Sequence, residues 1–325
     1  MIEFLMAGAL FTAPVQSQDP ADPTAAVAGQ PITLEDVTVT GRPLDALIRN
    51  FVAEVAEPNR HRGLARWNDR ICVGVANLRP EAAQYMADRV STIAEDVGLE
   101  VGGPGCTPNI VIATADAETT ARSLVHDRLR AFRKGGAGMD RGAAALNDFI
   151  ETPRPVRWWQ MAMPVDSETG RRAVRLPGEC SGSCSDPSNS VFDYAPMIDV
   201  FAASRLRTQI IDNLIRAIVI VDVDEVGQFS ITQLADYIAM VSLAQIDPEA
   251  DTSAYASILN VMANPAAADG LMDWDRAYLA GLYDAERNDA NRRAQRSEIT
   301  RSIHDAHREI RDERQTDRGG EGVSQ

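Results

Sequence analysis

Residues 217–246, AIVIVDVDEVGQFSITQLADYIAMVSLAQI, constrain this chain more than any other stretch. Ile218–Val221 is an uninterrupted apolar, β-branched run, the pattern of a strand covered on both faces. Gly227 breaks the run and a helix begins almost at once. Ser230 fits the N-cap and Gln233 the N3 position of a capping box, with Phe229 and Leu234 spaced for a hydrophobic staple. Ile231, Leu234, Ala235, Ile238, Val241 and Ala244 then recur at helical spacing, which predicts one broad face packed on a sheet. A strand feeding a central helix in this way is where many α/β enzymes hold their chemistry.

The flanking sequence supplies the rest of a layered domain. Residues 43–56 form an amphipathic helix, with Pro43 in its first turn and Leu44, Leu47, Ile48, Phe51, Val52 and Val55 on one face. ICVGVA (71–76) and NIVIAT (109–114) are strands. Between them a helix starts at Pro80, carries Ala82, Met86, Val90, Ile93 and Val97 on one side, and stops at Gly98. Such a β-α-β unit is expected to be right-handed with parallel strands. A helix over 117–133 groups Ala121, Leu124, Val125, Leu129 and Phe132. The glycines of KGGAGMDRG (134–142) lack the G-K-[ST] of a phosphate-binding loop and read as a connection.

VRWWQMAM (156–163) reads as a strand with both faces occupied, which puts Trp158 and Trp159 on opposite sides; core packing is the expected role of each, and lining a groove is the alternative. Residues 164–196, rich in Pro, Gly and Ser, read as an irregular insertion, and 197–216 as a strand and a short helix. Residues 250–262 look helical, and Asp273 is placed to cap WDRAYLAGLY, with Trp274, Tyr278 and Leu282 on one face. The fold class expected is α/β (α+β), a mixed twisted sheet with packed helices, in a single domain over 43–285. A signal-like segment (1–17), a linker (18–42) and a charged tail (286–325), a solvated helix or disordered, flank it.

A net charge of −15, with Lys134 the only lysine, disfavours nucleic acid as a partner. The apolar run Phe4–Val15 has the length of a signal-peptide core and is too short to span a bilayer, although Glu3 stands where a positive residue belongs. Four cysteines suit an exported chain, with pairs Cys72–Cys106 and Cys180–Cys184, the second stapling the insertion. A zinc site is the sharper alternative, but C-x3-C with two remote partners lacks paired C-x2-C spacing. The expected location is the periplasm or the exterior, with no transmembrane segment.

Chemical groups are sparse. Asp222, Asp224 and Glu225 cluster just past the central strand, the edge where α/β proteins place ligands, and they are the candidate acid/base pair or hard-cation site; a solvated turn is the plain alternative. With Gln233, Tyr237, Trp158 and Trp159 they make up the candidate cleft. His304 and His307 share a helical face near Asp305 and Glu309, in what is otherwise a solvated tail. No Gly-x-Ser-x-Gly elbow is present, and neither a metal nor a cofactor is expected.

The order of elements, with the central helix and DWDRAYL after it, resembles the metzincin type of zincin-like metallopeptidase. That family carries H-E-x-x-H on the central helix, where two histidines grip zinc and a glutamate activates water. The best registration puts Gln233, Leu234 and Tyr237 there, so the resemblance implies a zincin-like fold without its zinc site. From about 34 to 285 the chain also resembles a group of exported alphaproteobacterial proteins. That likeness rests on DVTVTGRPL, ARWNDRICVGVANL, PGCTPN, RPVRWWQMAMPV, IVIVD, QLADYIAMVSLAQ and DWDRAYLAGLYDA, and it implies export without supplying an activity. LEDVTVTGR (34–42) further resembles a short stretch near the mature N-terminus of TonB-dependent receptors; a strand added to a sheet edge is the simpler reading. The expected function is non-catalytic binding or scaffolding of an envelope protein or peptide, with a hydrolase using Asp222 and Asp224 as the alternative.

Overall fold

A computed structural model describes residues 44–59, 62–132, 139–174, 198 and 206–321. In chain order these form α1 (Leu44–Val55), β1 (Val73–Ala76), α2 (Pro80–Asp96), β2 (Ile110–Ala115), α3 (Ala117–Phe132), α4 (Ala143–Glu151), β3 (Val156–Asp166), β4 (Ile210–Asp222), α5 (Ile231–Leu243), α6 (Asp273–Asp284) and α7 (Arg292–Glu321). The sheet has four strands in the order β1-β2-β4-β3. β1, β2 and β4 are parallel and β3 is antiparallel, so the class is α+β with a mixed sheet.

Alternation along the strands divides the core in two. Ala217, Val219 and Val221 of β4, with Val156 and Trp158 of β3, face the larger core, which α1, α2, α5 and α6 complete. Ile218, Ile220, Trp159 and Met161 face a smaller one closed by α3 and α4. Trp158 and Trp159 therefore lie on opposite sides of the sheet, opposite Val219 and Ile218, and both are buried. Neither lines a groove. Their indole N–H groups donate to the carbonyls of Ile246 and Phe132, each at 3.1 Å.

Several expectations need correction. The 197–216 stretch holds no helix from 210 onward: β4 starts at Ile210, and a register shift between Met161 and Ala162 of β3 absorbs the break in its apolar pattern. The insertion begins later than residue 164, because β3 runs on to Asp166; Cys180 and Cys184 lie outside the described residues. Residues 250–262 are turns with a single 3-10 turn at Ile258–Asn260, since Ser257, Asn260 and Thr252 spend their side chains on local hydrogen bonds. Leu129 is half exposed, because Arg128 leaves helical geometry (φ −131°) and turns the last part of α3. Helix α4 was not anticipated.

The charged sequence after Asp284 forms α7, and the face bearing Ile299 and Ile303 is buried. Gly281 makes that docking feasible: a Cβ there would stand 2.4 Å from the backbone of Ile303. Cys72 and Cys106 are joined, which ties the entry of β1 to the Gly102–Gly105 turn. Among the described residues no helix is long and apolar enough to cross a membrane.

Helix α5 is not the one-faced amphipathic helix that its spacing suggests. Apart from Ile231 at its start, which is 40% exposed, nearly every side is covered, and residues Ala235–Leu243 are all buried. Burying its C-terminal end leaves four carbonyls to satisfy. Gln160 of β3 donates to Val241 and Ala244 (2.9 and 2.8 Å), the Trp67 indole to Ser242 (2.8 Å) and the Tyr283 hydroxyl to Leu243 (2.7 Å).

Two outcomes follow. Gln160→Leu keeps the volume but orphans two buried carbonyls, so it is expected to cost about 2–4 kcal/mol in urea unfolding with an unchanged m-value. Replacing Cys72 and Cys106 by alanine opens a loop with a sequence separation of 34 and is expected to cost roughly 3–4 kcal/mol by the same measurement.

Candidate functional site

The α5 N-terminus forms as its sequence dictates. The Gln233 amide N–H donates to Ser230 Oγ (3.1 Å), and the Ser230 N–H donates to Gln233 Oε1 (2.9 Å), closing the capping box. Gln233 does more than cap. Its Nε2 donates to the carbonyls of Pro265 and Ala268, both at 2.7 Å, and so straps the 265–271 turn across the helix.

One turn further along, Asp236 has no exposed surface. Its carboxylate accepts two bonds from Arg89 of α2 (2.5 and 2.9 Å) and one from the Leu271 N–H (2.6 Å). The Arg89 guanidinium is held above its usual range, chiefly by that bond to Asp236. Gly270 lies so close that a Cβ would sit 2.7 Å from Asp236 Oδ2. Tyr85 of α2 and Thr232 share a hydroxyl–hydroxyl bond of 2.7 Å beside this pair. An open depression of about 430 Å³ remains, bounded by Arg89, Thr232, Asp236 and the 266–272 turn.

The candidate cleft does not assemble. Asp222 ends β4, and Asp224 and Glu225 sit on the turn after it; Asp224 and Glu225 are exposed, and Asp222 Oδ1 accepts the Asp224 N–H at 3.0 Å, as a solvated turn would have it. Tyr237 faces the other way, buried edge-on against Trp158 with ring centroids 6.1 Å apart, and burial raises its phenol above the ordinary range. Leu234 packs against the larger core. No three His, Cys, Asp or Glu side chains converge as metal ligands among the described residues. His304 lies 3.7 Å from Asp45 of α1, and His307 packs against Trp274 with ring centroids 4.8 Å apart and the rings tilted by 54°, where burial lowers its pKa, so both help dock α7.

The polar groups on which the site turns are not apparent from spacing, although one signal is present: Asp236 is the lone charged residue of α5. A second buried carboxylate caps α6. Asp273 is only the first residue of that helix; Asp275 reaches back to accept the Met272 N–H (3.0 Å), and also binds the Ile258 N–H (2.8 Å) and the Ser257 hydroxyl (2.5 Å). Burial, the largest influence, pushes its pKa up from 3.8 to about 6 despite those three donors.

A carboxyl whose folded pKa is raised contributes stability that is complete below the unfolded value and is lost as pH rises through the folded one. For Asp275 the window runs from about pH 4 to pH 6, and the shift from 3.8 to about 6 amounts to about 3 kcal/mol at most. An asparagine can accept both N–H bonds and donate to Ser257. Asp275→Asn is therefore expected to gain on the wild type by up to that amount between pH 4 and pH 7 in paired denaturation curves, whereas Asp275→Ala is destabilised throughout. Comparison with known proteins finds no matching family model, no matching curated protein and no matching solved structure.

Proposed function

We propose that this chain is an exported, non-catalytic protein with a zincin-like frame, which acts in the cell envelope by binding or scaffolding a protein or peptide partner. The observation that carries this reading is the fate of the three positions at which the resembled peptidases place two zinc-binding histidines and a catalytic glutamate. Gln233 closes the capping box and straps the 265–271 turn, Leu234 packs on the larger core, and Tyr237 packs on Trp158. All three are engaged in holding the fold.

Two further features support it. A parallel β-α-β unit, a buried strand, a central helix and a following core helix are parts of the order on which the resemblance rests, although β4 runs as one strand from Ile210 to Asp222 where that order has two. The Cys72–Cys106 disulfide is the kind of bond that persists in an oxidising compartment. The hydrolase alternative draws no support from geometry, because the Asp222 carboxylate is tied to its own turn and the neighbouring acids face solvent.

The triple variant Gln233→His, Leu234→Glu, Tyr237→His tests the reading. Replacing the buried Tyr237 by a smaller, polar imidazole loses part of the about 3–5 kcal/mol that a full aromatic truncation costs, and a glutamate at 234 adds a charge on a packed position. The expected result is a destabilised protein without stoichiometric zinc and without cleavage of casein. A variant that unfolds like the wild type, takes up zinc and cleaves casein would overturn the proposal, since the frame would then be a protease lacking only its ligands.

A further inference from the structure

We propose that the outer edge of β1, with the groove beside it, is a docking site for an extended basic segment of a partner protein, which adds to the sheet as a further strand. This rests on the binding reading above and names the surface and the chemistry of the partner.

The edge is half built by the chain itself. Ile110 donates its N–H to Cys72 O, so the even-numbered residues of β1 bond inward to β2, and the odd-numbered ones turn their N–H and C=O outward. Ile71, the first outward residue, is satisfied: it donates to Glu100 O (2.8 Å) and accepts from the Gly102 N–H (2.7 Å), in a parallel bridge with Val101. The covering segment then leaves through Gly103, Pro104 and Gly105, held by the disulfide to Cys72. Val73 and Val75 continue the same row, and among the described residues no strand covers them.

Edge strands are usually guarded by charge, proline or a bulge. The sequence Val73-Gly74-Val75-Ala76 has none of these, and β1 is only partly buried. Gly74 is fixed by packing, since a Cβ would meet Pro108 at 2.6 Å. A groove of about 450 Å³ runs alongside, between the 101–106 turn and the outer face of α2. Its only charged lining side chains are Asp88 and Glu95, and serine and threonine at 91 and 92 add hydroxyls.

Charge decides the occupant. A second copy paired edge to edge would set two acidic walls together on chains of net charge −15 each, which is unfavourable. A strand with lysine or arginine at alternate positions satisfies the outward backbone groups of Val73 and Val75 and places its cations on Asp88 and Glu95, the mode of recognition known as strand addition.

The probe is a fluorescein-labelled peptide of alternating lysine and valine, followed by anisotropy against the full chain. Controls are the same peptide with glutamate for lysine, and one N-methylated at alternate residues. Saturable binding of the basic peptide is expected, weakening with salt and absent with the acidic one. Val75→Pro, which removes an outward N–H from an edge strand, is expected to weaken it roughly fivefold or more; Asp88→Asn with Glu95→Gln is expected to weaken it and flatten its salt dependence. Where Val75→Pro does not fold, the N-methylated peptide on wild-type protein carries the same test. Absence of saturable binding, or binding indifferent to both Val75→Pro and N-methylation, overturns strand addition. Self-association in sedimentation that Val75→Pro abolishes assigns the edge to a second copy and overturns the partner. The same samples are assayed for peptide cleavage: hydrolysis overturns the non-catalytic reading alone, whereas failure to bind overturns only this inference.

Discussion

Burial of the α5 C-terminus is the constraint on which the rest of the structure depends. A helix end in water satisfies its last carbonyls for nothing; one sunk between a sheet and two helices must be met by protein donors. Those donors come from β3, from the segment before β1 and from α6, through Gln160, Trp67 and Tyr283. Each is a side chain able to donate from an element that packing has already brought close. The helix end is satisfied only where the sheet, the β1 approach and α6 are in register, so these bonds couple the layers in a way that apolar contacts alone, being non-directional, would not.

The same logic governs the buried charges. Asp236 and Asp275 have no exposed surface, and isolated carboxylates there would be prohibitive. Asp236 is met by a bidentate arginine and an N–H, whereas Asp275 has three hydrogen bonds but no facing cation, and burial raises the Asp275 pKa. Asp212 repeats the pattern. Burial lifts it to about 6 even with Arg62 and Arg287 near, because Arg62 stands 3.9 Å away and the Arg287 guanidinium bonds to the Asp212 backbone carbonyl and to Asn213. What these carboxylates hold is irregular backbone: the 265–271 turn, the 257–258 turn and the α6 N-terminus. Such segments have no ladder of their own and need acceptors from elsewhere.

How much of this was legible follows from whether the signal was local. The capping box could be read to the residue, because Ser230 and Gln233 lie within one turn and serve each other. The opposite facing of Trp158 and Trp159 followed from strand period alone. The start of β4 is not visible in the apolar pattern because Asp212, Asn213 and Arg216 interrupt it, and tertiary partners such as Arg66 and Arg287 make that interruption compatible with a buried strand. Helix α7 carries little apolar signal, with Ile299 and Ile303 its buried hydrophobic residues, and its docking depends on Gly281, a residue in another helix. The candidate cleft failed for a related reason. Proximity along the chain put Asp222, Asp224 and Glu225 beside the central helix, but the strand delivers them to solvent while the helix turns Gln233 and Tyr237 inward.

The division between committed and uncommitted polar groups also bears on what the protein can do. An active site needs side chains with spare valence, aimed at a common point and kept free of structural work. Around α5 the polar side chains capable of chemistry are already spent: Gln233 on the 265–271 turn, Asp236 on Arg89 and Leu271, Gln160 on the helix end. Backbone groups are the exception. A parallel sheet ends where its connections run out, and here the covering segment spans one rung at Ile71 before Pro104, with no backbone N–H, and its flanking glycines turn it away. The outward groups of Val73 and Val75 cannot be turned inward by rotating a side chain, because strand register fixes them. Register therefore leaves this hydrogen-bonding capacity in a row along the strand, at a fixed spacing and in one direction, which is the geometry of a sheet edge and not of side chains converging on a point.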